Sequence, residues 1–185
     1  MSRWFSRGGT GKKRSVSKRF ASADRNFKKR MAVVMVELTY STAAENDIDF
    51  IRETYQENIA SLHGNHRTND DWRKLLSDKA SQYYIVRRET PVAWFRIDIE
   101  DGELWIGMIQ VKPMVHRQGV GRYILSAVES IAGKKGIQRI GIHTTEDNIA
   151  ARRLYLSAGY EVTEIGPCTT ADGMERVGYT YQKGI

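Results

Sequence analysis

The sequence of 185 residues is poor in the features that mark secreted, membrane-spanning and disulfide-linked proteins. Its only cysteine is Cys168, which excludes an intrachain disulfide and a metal site built from cysteines. The longest uninterrupted apolar run, residues 31–36, is far shorter than the roughly 20 residues of a membrane-spanning helix. No apolar segment of the signal-peptide type follows the basic start. We therefore expect a cytoplasmic protein that binds neither membranes nor metal ions.

Acidic residues are nearly absent from the first thirty positions, which explains the formal net charge of +7. Residues 1–30 hold eleven Lys or Arg and one acid, Asp24, whereas residues 31–185 hold 18 bases and 21 acids. We expect a disordered basic extension, with a start of translation at Met31 or Met35 as a variant of that interpretation. A targeting peptide and a polyanion-binding arm are the alternatives. Binding to nucleic acid is thus expected only through this extension.

From residue 31 onward, strand-like and helix-like periodicities alternate in the order β-α-α-β-β-β-α-β-α-β-β. This order predicts a single α/β (α+β) domain over residues 31–185, with helices on one mixed sheet. The predicted strands cover residues 34–40, 83–88, 92–98, 103–111, 138–144, 160–165 and 176–182. The predicted helices cover residues 44–62 and 70–76, follow the turn at 116–122, and begin again after Asp147 or Asn148.

Two glycines and two arginines are concentrated in the turn at residues 116–122, ahead of a predicted helix. Gly119 and Gly121 allow a close approach to the backbone, and the free N–H groups of the helix point to the same place. Arg117 and Arg122 add positive charge, so the turn predicts a pyrophosphate site, although an ordinary helix-start turn would also explain the glycines. The spacing fits neither a Walker A loop nor a Rossmann fingerprint.

The turn at residues 116–122 contains the first of two sequence motifs, and the second follows it at a fixed distance. The first has the form Gln/Arg-x-x-Gly-x-Gly/Ala and is matched by Gly119 and Gly121, with His116 as a departure at its first position. The second has the form Asn-x-x-Ala-x-x-Leu-Tyr, then Gly-Phe/Tyr, and is matched by Asn148, Ala151, Leu154, Tyr155, Gly159 and Tyr160. Together they resemble the GNAT superfamily of acetyl-CoA-dependent N-acetyltransferases, with a spacing most similar to that of the ribosomal-protein alanine N-acetyltransferases. The resemblance covers residues 35–185 and implies a mostly antiparallel seven-stranded sheet, about four helices and a splayed pair of central parallel strands.

The resemblance also implies acetyl-CoA as co-substrate, held in a split between the strands at residues 103–111 and 138–144. The segment Ile109, Gln110 and Val111 would bind the pantetheine arm through the backbone of its outer residues. A backbone N–H there, that of Val111, would polarise the thioester carbonyl. The residues expected to hold the pyrophosphate are Arg117, Gln118, Gly119, Val120, Gly121 and Arg122. Asn148 would either anchor the pantetheine or cap the helix that follows it.

In this family the acceptor amine attacks directly, without an acyl-enzyme. By the same resemblance, Tyr155 would give a proton or a hydrogen bond to the departing thiolate, unless it is only a packed aromatic. His143 stands where the ribosomal-protein alanine N-acetyltransferases have a catalytic glutamate, and an ordinary pKa near 6.5 suits a general base. A simple hydrogen-bonded strand histidine is equally compatible with the sequence. Glu103 and water are the alternative bases.

The acceptor is expected to be a primary amine, of a small molecule or a peptide N-terminus. In this fold its pocket is walled by residues 62–72, which include His63, His66, Asp70 and Asp71, and by the loop at 167–175. Acids there would suit a cationic acceptor. Cys168 is expected on that loop, without a nucleophilic role. An acyl-CoA-binding regulatory module with little catalysis is the alternative function, and the sequence is compatible with a homodimer.

Overall fold

This computed structural model describes residues 37–185 of the chain. They form seven strands and four α-helices. The strands are β1 (Thr39–Thr42), β2 (Ser81–Arg87), β3 (Pro91–Glu100), β4 (Glu103–Val111), β5 (Arg139–Thr145), β6 (Glu161–Thr169) and β7 (Glu175–Gly184). The helices are α1 (Ile48–Leu62), α2 (Asn69–Ser77), α3 (Val120–Lys135) and α4 (Ile149–Ser157), with short 3-10 segments at Glu45–Asp47 and Pro113–Val115. The predicted order is confirmed, while the predicted extension at 1–30 and the start of the first predicted strand lie outside the described residues.

All seven strands form one sheet in the order β1-β2-β3-β4-β5-β7-β6. Its only parallel neighbours are β4 and β5, and they pair from Leu104 opposite Ile140 to Ile106 opposite Ile142. Beyond these pairs both strands continue without pairing to each other. The expected splayed parallel strands at the centre of the sheet are therefore confirmed.

A β-bulge lies where the two strands part. On β3, Arg96 is opposite Met108 and Ile97 is opposite Ile106, so Gly107 is the extra residue. A Cβ at Gly107 would lie 2.3 Å from the guanidinium of Arg96, so any other residue would displace that side chain. The bulge reverses which face of the sheet the following residues of β4 point to.

Two hydrophobic cores lie on opposite faces of the sheet. One packs α3 and α4 against it and includes Phe95, Ile124, Val128, Ile140, Ile142 and Tyr181. The other packs α1 and α2 against the β2–β4 region and includes Ile51, Tyr55, Trp72, Tyr83, Ile85 and Trp94. Strands β5–β7 contribute to the first core only, so their other face is the open side of the sheet.

The helix starts follow from local hydrogen bonds. Thr68 caps α2 by accepting from the N–H of Asp71 (3.2 Å), and Asn148 caps α4 by accepting from the N–H of Ala151 (3.3 Å). For Asn148, capping is the role observed.

The predicted loop at 167–175 is wrong in its first residues, because β6 continues through Pro167 and Cys168 to Thr169. Strand β6 is at the edge of the sheet, where a proline is tolerated since its missing N–H faces away from the neighbouring strand. Cys168 therefore lies on a strand and not on a loop.

Candidate functional site

The divergence of β5 leaves one side of β4 facing a gap in the described sheet. The register places Val111 opposite Ala93, and the N–H of Lys112 donates to the carbonyl of Val92 (2.9 Å). Hydrogen-bonded and non-hydrogen-bonded pairs alternate along antiparallel strands, so the backbone groups of Ile109 and Val111 point away from β3. These groups face the split, where an extended ligand can pair with them.

The carbonyl of Val111 is already bound by two side chains. Nδ2 of Asn58 donates to it at 3.0 Å, and Nε2 of His116 lies 2.9 Å from it. His116, which departs from the family motif, thus holds the end of β4 where the neighbouring strand is missing. In the sequence nothing linked either residue to Val111.

Gln110 differs from its two neighbours. It lies opposite Trp94 in a hydrogen-bonded position, so its backbone groups point to β3. Its side chain is buried, and Nε2 has no hydrogen-bond partner within the described residues. This placement argues against the prediction that Gln110 contacts the cofactor.

The two glycines of the turn serve different purposes. Gly119 has φ of 82° and an open space where a Cβ would be, so its backbone conformation requires glycine. A Cβ at Gly121 would lie 2.9 Å from Cδ2 of Leu154, so close packing of α3 on α4 requires it. Gly121 thus has a packing contact beside the role that the sequence predicts for it, which stays a prediction. Val120 is also buried, and only its backbone can face an anion.

The charged groups near this turn are partly engaged. The guanidinium of Arg122 donates to the hydroxyl of Ser157 (3.0 Å), at the end of α4. Arg117 is exposed in a left-handed conformation (φ of 63°). Arg88, which the sequence did not single out, donates to Oε1 of Gln118 at 2.8 Å. Of the three guanidinium groups, that of Arg117 has no hydrogen bond of this kind within the described residues, while those of Arg88 and Arg122 are each bound to a neighbouring side chain.

His143 lies on the open face, one residue beyond the last pair between β4 and β5. Its ring stacks on that of Trp105, with centroids 4.7 Å apart and planes 5° from parallel. Its Nδ1 lies 3.0 Å from Oγ1 of Thr180 on β7. A Cβ at Gly141 would be 2.4 Å from the Trp105 ring, so glycine leaves space for the stack.

A cavity of about 450 Å³ opens beside His143 on this face. It is bounded by β5, β7 and the edge strand β6, and its lining includes His143, Thr145, Glu164, Cys168, Tyr179 and Thr180. Glu164 is the carboxylate among them, and it lies opposite Thr180 in the sheet. The cavity is large enough for the end of a small molecule or a peptide.

Tyr155 lies on the covered side of the sheet and is 6% exposed. Its ring meets the edge of Tyr181 at a centroid distance of 5.5 Å, and burial raises its pKa above the ordinary value near 10. No partner for its hydroxyl is found within residues 37–185. Tyr160 is buried too, and its unpaired hydroxyl lies inside the core, in agreement with a packing role.

Glu103 is placed at the opposite end of the paired region from the split. Its carboxylate binds Nη1 of Arg139 at 2.7 Å. The four strand residues from Glu103 to Gly107 span about 13 Å. This position and this ion pair argue against Glu103 as the base.

The predicted walls of the acceptor pocket do approach each other. His63 ends α1 in a left-handed conformation, with Nε2 2.7 Å from a carboxylate oxygen of Asp147 and Nδ1 3.7 Å from Asp172. Hydrogen bonds from Thr145 and then His63 lower the pKa of Asp147, and those from Arg176 lower that of Asp172. Asp147 thus links the end of α1 to the start of α4 through His63.

In the described part of the chain, the other acidic residues predicted to line the acceptor pocket contact only residues close to them in the sequence. Asp70 pairs with Arg73 at 2.8 Å, and Asp71 bonds to Thr68, both within α2 and its cap. His66 is exposed. Residues 37–185 contain no group of three or more His, Cys, Asp or Glu side chains that could hold a metal ion. In the same residues no helix is long and apolar enough to cross a membrane.

Comparisons with known proteins agree with this architecture. The model of the acetyltransferase (GNAT) family matches residues 48–160. The chain is 30% identical over 80 residues to GCN5-related N-acetyltransferase 7, chloroplastic, of Arabidopsis thaliana, and the match covers 43% of this chain and 29% of that relative. It thus spans less than a third of the relative's length.

Two solved structures show the same fold. The ribosomal-protein-S18-alanine N-acetyltransferase of Escherichia coli superposes with a TM-score of 0.66 at 20% identity, covering 80% of this chain and 94% of that one. The protein yncA of Salmonella typhimurium, solved with its cofactor acetyl-CoA, gives 0.65 at 18% identity, covering 80% and 93%.

Proposed function

The chain belongs to the acetyltransferase (GNAT) family, and from this premise we propose that it transfers an acetyl group from acetyl-CoA directly to a primary amine. The acceptor is the amine of a small molecule or the N-terminus of a peptide. The main support for this proposal is the split between β4 and β5. Backbone groups of β4 point into the split, and His143 lies on β5 beside it.

The residues around the split fit acetyl-CoA as the donor. The backbone of Ile109 would pair with the pantetheine arm, and only the N–H of Val111 is left for the ligand, because Asn58 and His116 occupy its carbonyl. The N-terminal N–H groups of α3 after Gly119 would meet the pyrophosphate. Arg117 and Arg88 would add positive charge there. When bound, acetyl-CoA supplies an acetyl group activated as a thioester.

His143 is the base that the geometry favours. At pH 7 an alkyl ammonium group with a pKa near 10.4 costs about 4–5 kcal/mol to deprotonate, so a nearby proton acceptor accelerates attack. His143 lies on the open cavity where an amine can enter, while Glu103 is paired at the far end of the strands. The amine proton would pass to His143 as the new C–N bond forms and the C–S bond breaks.

Two further groups complete the site. The N–H of Val111 would donate to the carbonyl oxygen as negative charge develops there. Tyr155 would donate a hydrogen bond to the departing sulfur. Because the pKa of Tyr155 is raised and that of a thiol is near 8.5, full proton transfer from this tyrosine is uphill, and the hydrogen bond is the main contribution.

The test is release of CoA from acetyl-CoA against a panel of amines, amino acids, polyamines, aminoglycosides and short peptides. The panel includes a peptide that begins with alanine, since the Escherichia coli neighbour is named for that acceptor. We expect release that depends on the acceptor. His143→Gln should lower kcat by about 100-fold, within the usual range for a general base, with little change in the KM for acetyl-CoA.

Glu103→Gln is the discriminating variant, and it should lose far less activity because its carboxylate serves an ion pair. A larger loss in Glu103→Gln than in His143→Gln would overturn the assignment of the base. Tight binding of acetyl-CoA with no release for any acceptor would favour the regulatory binding module instead.

A further inference from the structure

Two side chains outside the family motifs hold the ring of His143. Trp105 covers one face of the imidazole, and Thr180 bonds to Nδ1. Neither residue is at a position where the sequence indicated chemistry. Both lie on the open side of the sheet, where the proposed reaction takes place.

The stack fixes the plane of the imidazole. Trp105 belongs to β4 and His143 to β5, so the stack joins the two strands at the place where they part. The glycine at 141 leaves room for the indole ring, and any larger residue would displace it. With its ring plane held, His143 can direct Nε2 in only two ways, related by a ring flip. The bond from Nδ1 to Thr180 selects one of them.

The hydroxyl of Thr180 can either accept from Nδ1–H or donate to a bare Nδ1. If it accepts from Nδ1–H, Nε2 of the neutral ring has a free lone pair. If it donates to Nδ1, Nε2 carries the proton of the neutral ring and cannot accept another. The bond from Nδ1–H to Thr180 also stays unchanged when Nε2 gains a proton, because both nitrogens of an imidazolium donate.

We infer that Trp105 and Thr180 are positioning residues that hold the neutral His143 in the Nδ1–H tautomer, with the lone pair of Nε2 available to the acceptor amine. The choice of this tautomer rests on the proposed function, because the contact with Thr180 fits either tautomer and a general base needs a bare Nε2. The position of the proton, however, is a property of the free protein and can be measured without turnover. The other titratable groups of the cavity lining are Glu164, Cys168 and Tyr179.

The direct test is nitrogen-15 NMR of the imidazole rings in the full chain at about pH 8.5, where unperturbed histidines are neutral. The sequence has only four histidines, and the His143→Gln spectrum identifies the signal of interest. We expect a protonated Nδ1 and a bare Nε2. A protonated Nε2 in the wild-type protein would overturn the inference.

Thr180→Val removes the hydroxyl and keeps the shape of the side chain. We expect a mixture of tautomers and a drop in kcat of about tenfold, with the KM for acetyl-CoA unchanged, while Thr180→Ser restores both the tautomer and kcat. Thr163→Val is the matched control, since its hydroxyl reaches only the backbone carbonyl of Thr180. It should leave the imidazole signals in place.

A comparison of Trp105→Phe with Trp105→Leu distinguishes the effect of aromatic stacking on His143 from that of side-chain volume. The phenyl ring should keep most of kcat, and leucine should lose more at a similar stability. Equal effects of the two variants, or a tautomer unchanged in Thr180→Val, would overturn the positioning role. Absence of acetyl transfer in the wild-type protein would contradict the proposed function, while its NMR spectrum would still decide the position of the proton.

Discussion

The two halves of the sheet are built differently. Strands β1–β4 lie between helices on both faces, with one core under α3 and another under α1 and α2. Strands β5–β7 have helices on one face and an open cavity on the other. The covered half buries apolar side chains on both faces, and the open half can present polar side chains to a ligand. The split that separates the halves is where both properties are needed.

The strongest test of this contrast uses two tryptophans on neighbouring strands. Trp94 is 0% exposed inside the second core, whereas Trp105 is half-buried on the open side. Trp94→Ala should lower the free energy of unfolding by about 3–5 kcal/mol, the usual cost of emptying such a site. Trp105→Ala should cost about 1–2 kcal/mol.

Urea titrations of both variants measure the two losses under identical conditions. Equal losses would mean that the open half is packed as tightly as the covered half. In that case the cavity beside His143 would be no guide to function.

Tyr155 sharpens the comparison because it lies on the covered face but is assigned a role in the split. Tyr155→Phe removes a hydroxyl that has no partner within residues 37–185, so stability should change by less than about 0.5 kcal/mol. Loss of a hydrogen bond to the leaving sulfur should reduce kcat by about tenfold. Rates of CoA release and urea titration of the same variant provide the two measurements.

The pH profile adds a second check on this residue. Because burial raises the pKa of Tyr155, its hydroxyl stays protonated through the alkaline range. We therefore expect no loss of wild-type activity up to about pH 10, and a decline below that pH that Tyr155→Phe abolishes would contradict the raised pKa.

The smallest effect is expected where the loops of the open half are tied by exposed ion pairs. The pKa of Asp147 is lowered in the folded protein, first by Thr145 and then by His63, so its contribution to stability is present above the unfolded pKa near 3.8. That contribution disappears as the pH falls through the lower folded value. The carboxylate is half exposed, so the gain is well below 1 kcal/mol.

Urea titrations of Asp147→Asn near pH 6 and near pH 3 measure this contribution. The variant should be slightly less stable than the wild type at the higher pH, and the difference should be smaller at the lower pH. Thr145→Val, which removes the largest cause of the shift, should behave in the same way. A difference that grows toward low pH would contradict the assigned direction.

Much of the fold was accessible from the sequence because it depends on local patterns. Periodicity predicted β4 with its observed bounds, and Asn148 was one of the two residues expected at the start of α4. Gly107 inside a predicted strand was also a local signal for a bulge, and it was missed. The edge position of β6, which tolerates Pro167, depends on sheet order and could not be predicted locally.

The candidate site was only partly accessible, because its contacts join distant segments. His143 was named, but its stack on Trp105 and its bond to Thr180 connect three strands. The link from His63 to Asp147 likewise joins residues 84 positions apart. Such contacts are set by tertiary packing, so no motif records them.

The contact of Gly121 with Leu154 has a consequence for how substitutions at the two positions combine. Each residue belongs to a different sequence motif, yet a methyl group added to one would collide with the other. Gly121→Ala is therefore accommodated only where the side chain of Leu154 moves aside, and a shorter residue at 154 should relieve the clash. The double variant Gly121→Ala with Leu154→Val should lose less stability than the sum of the two single losses.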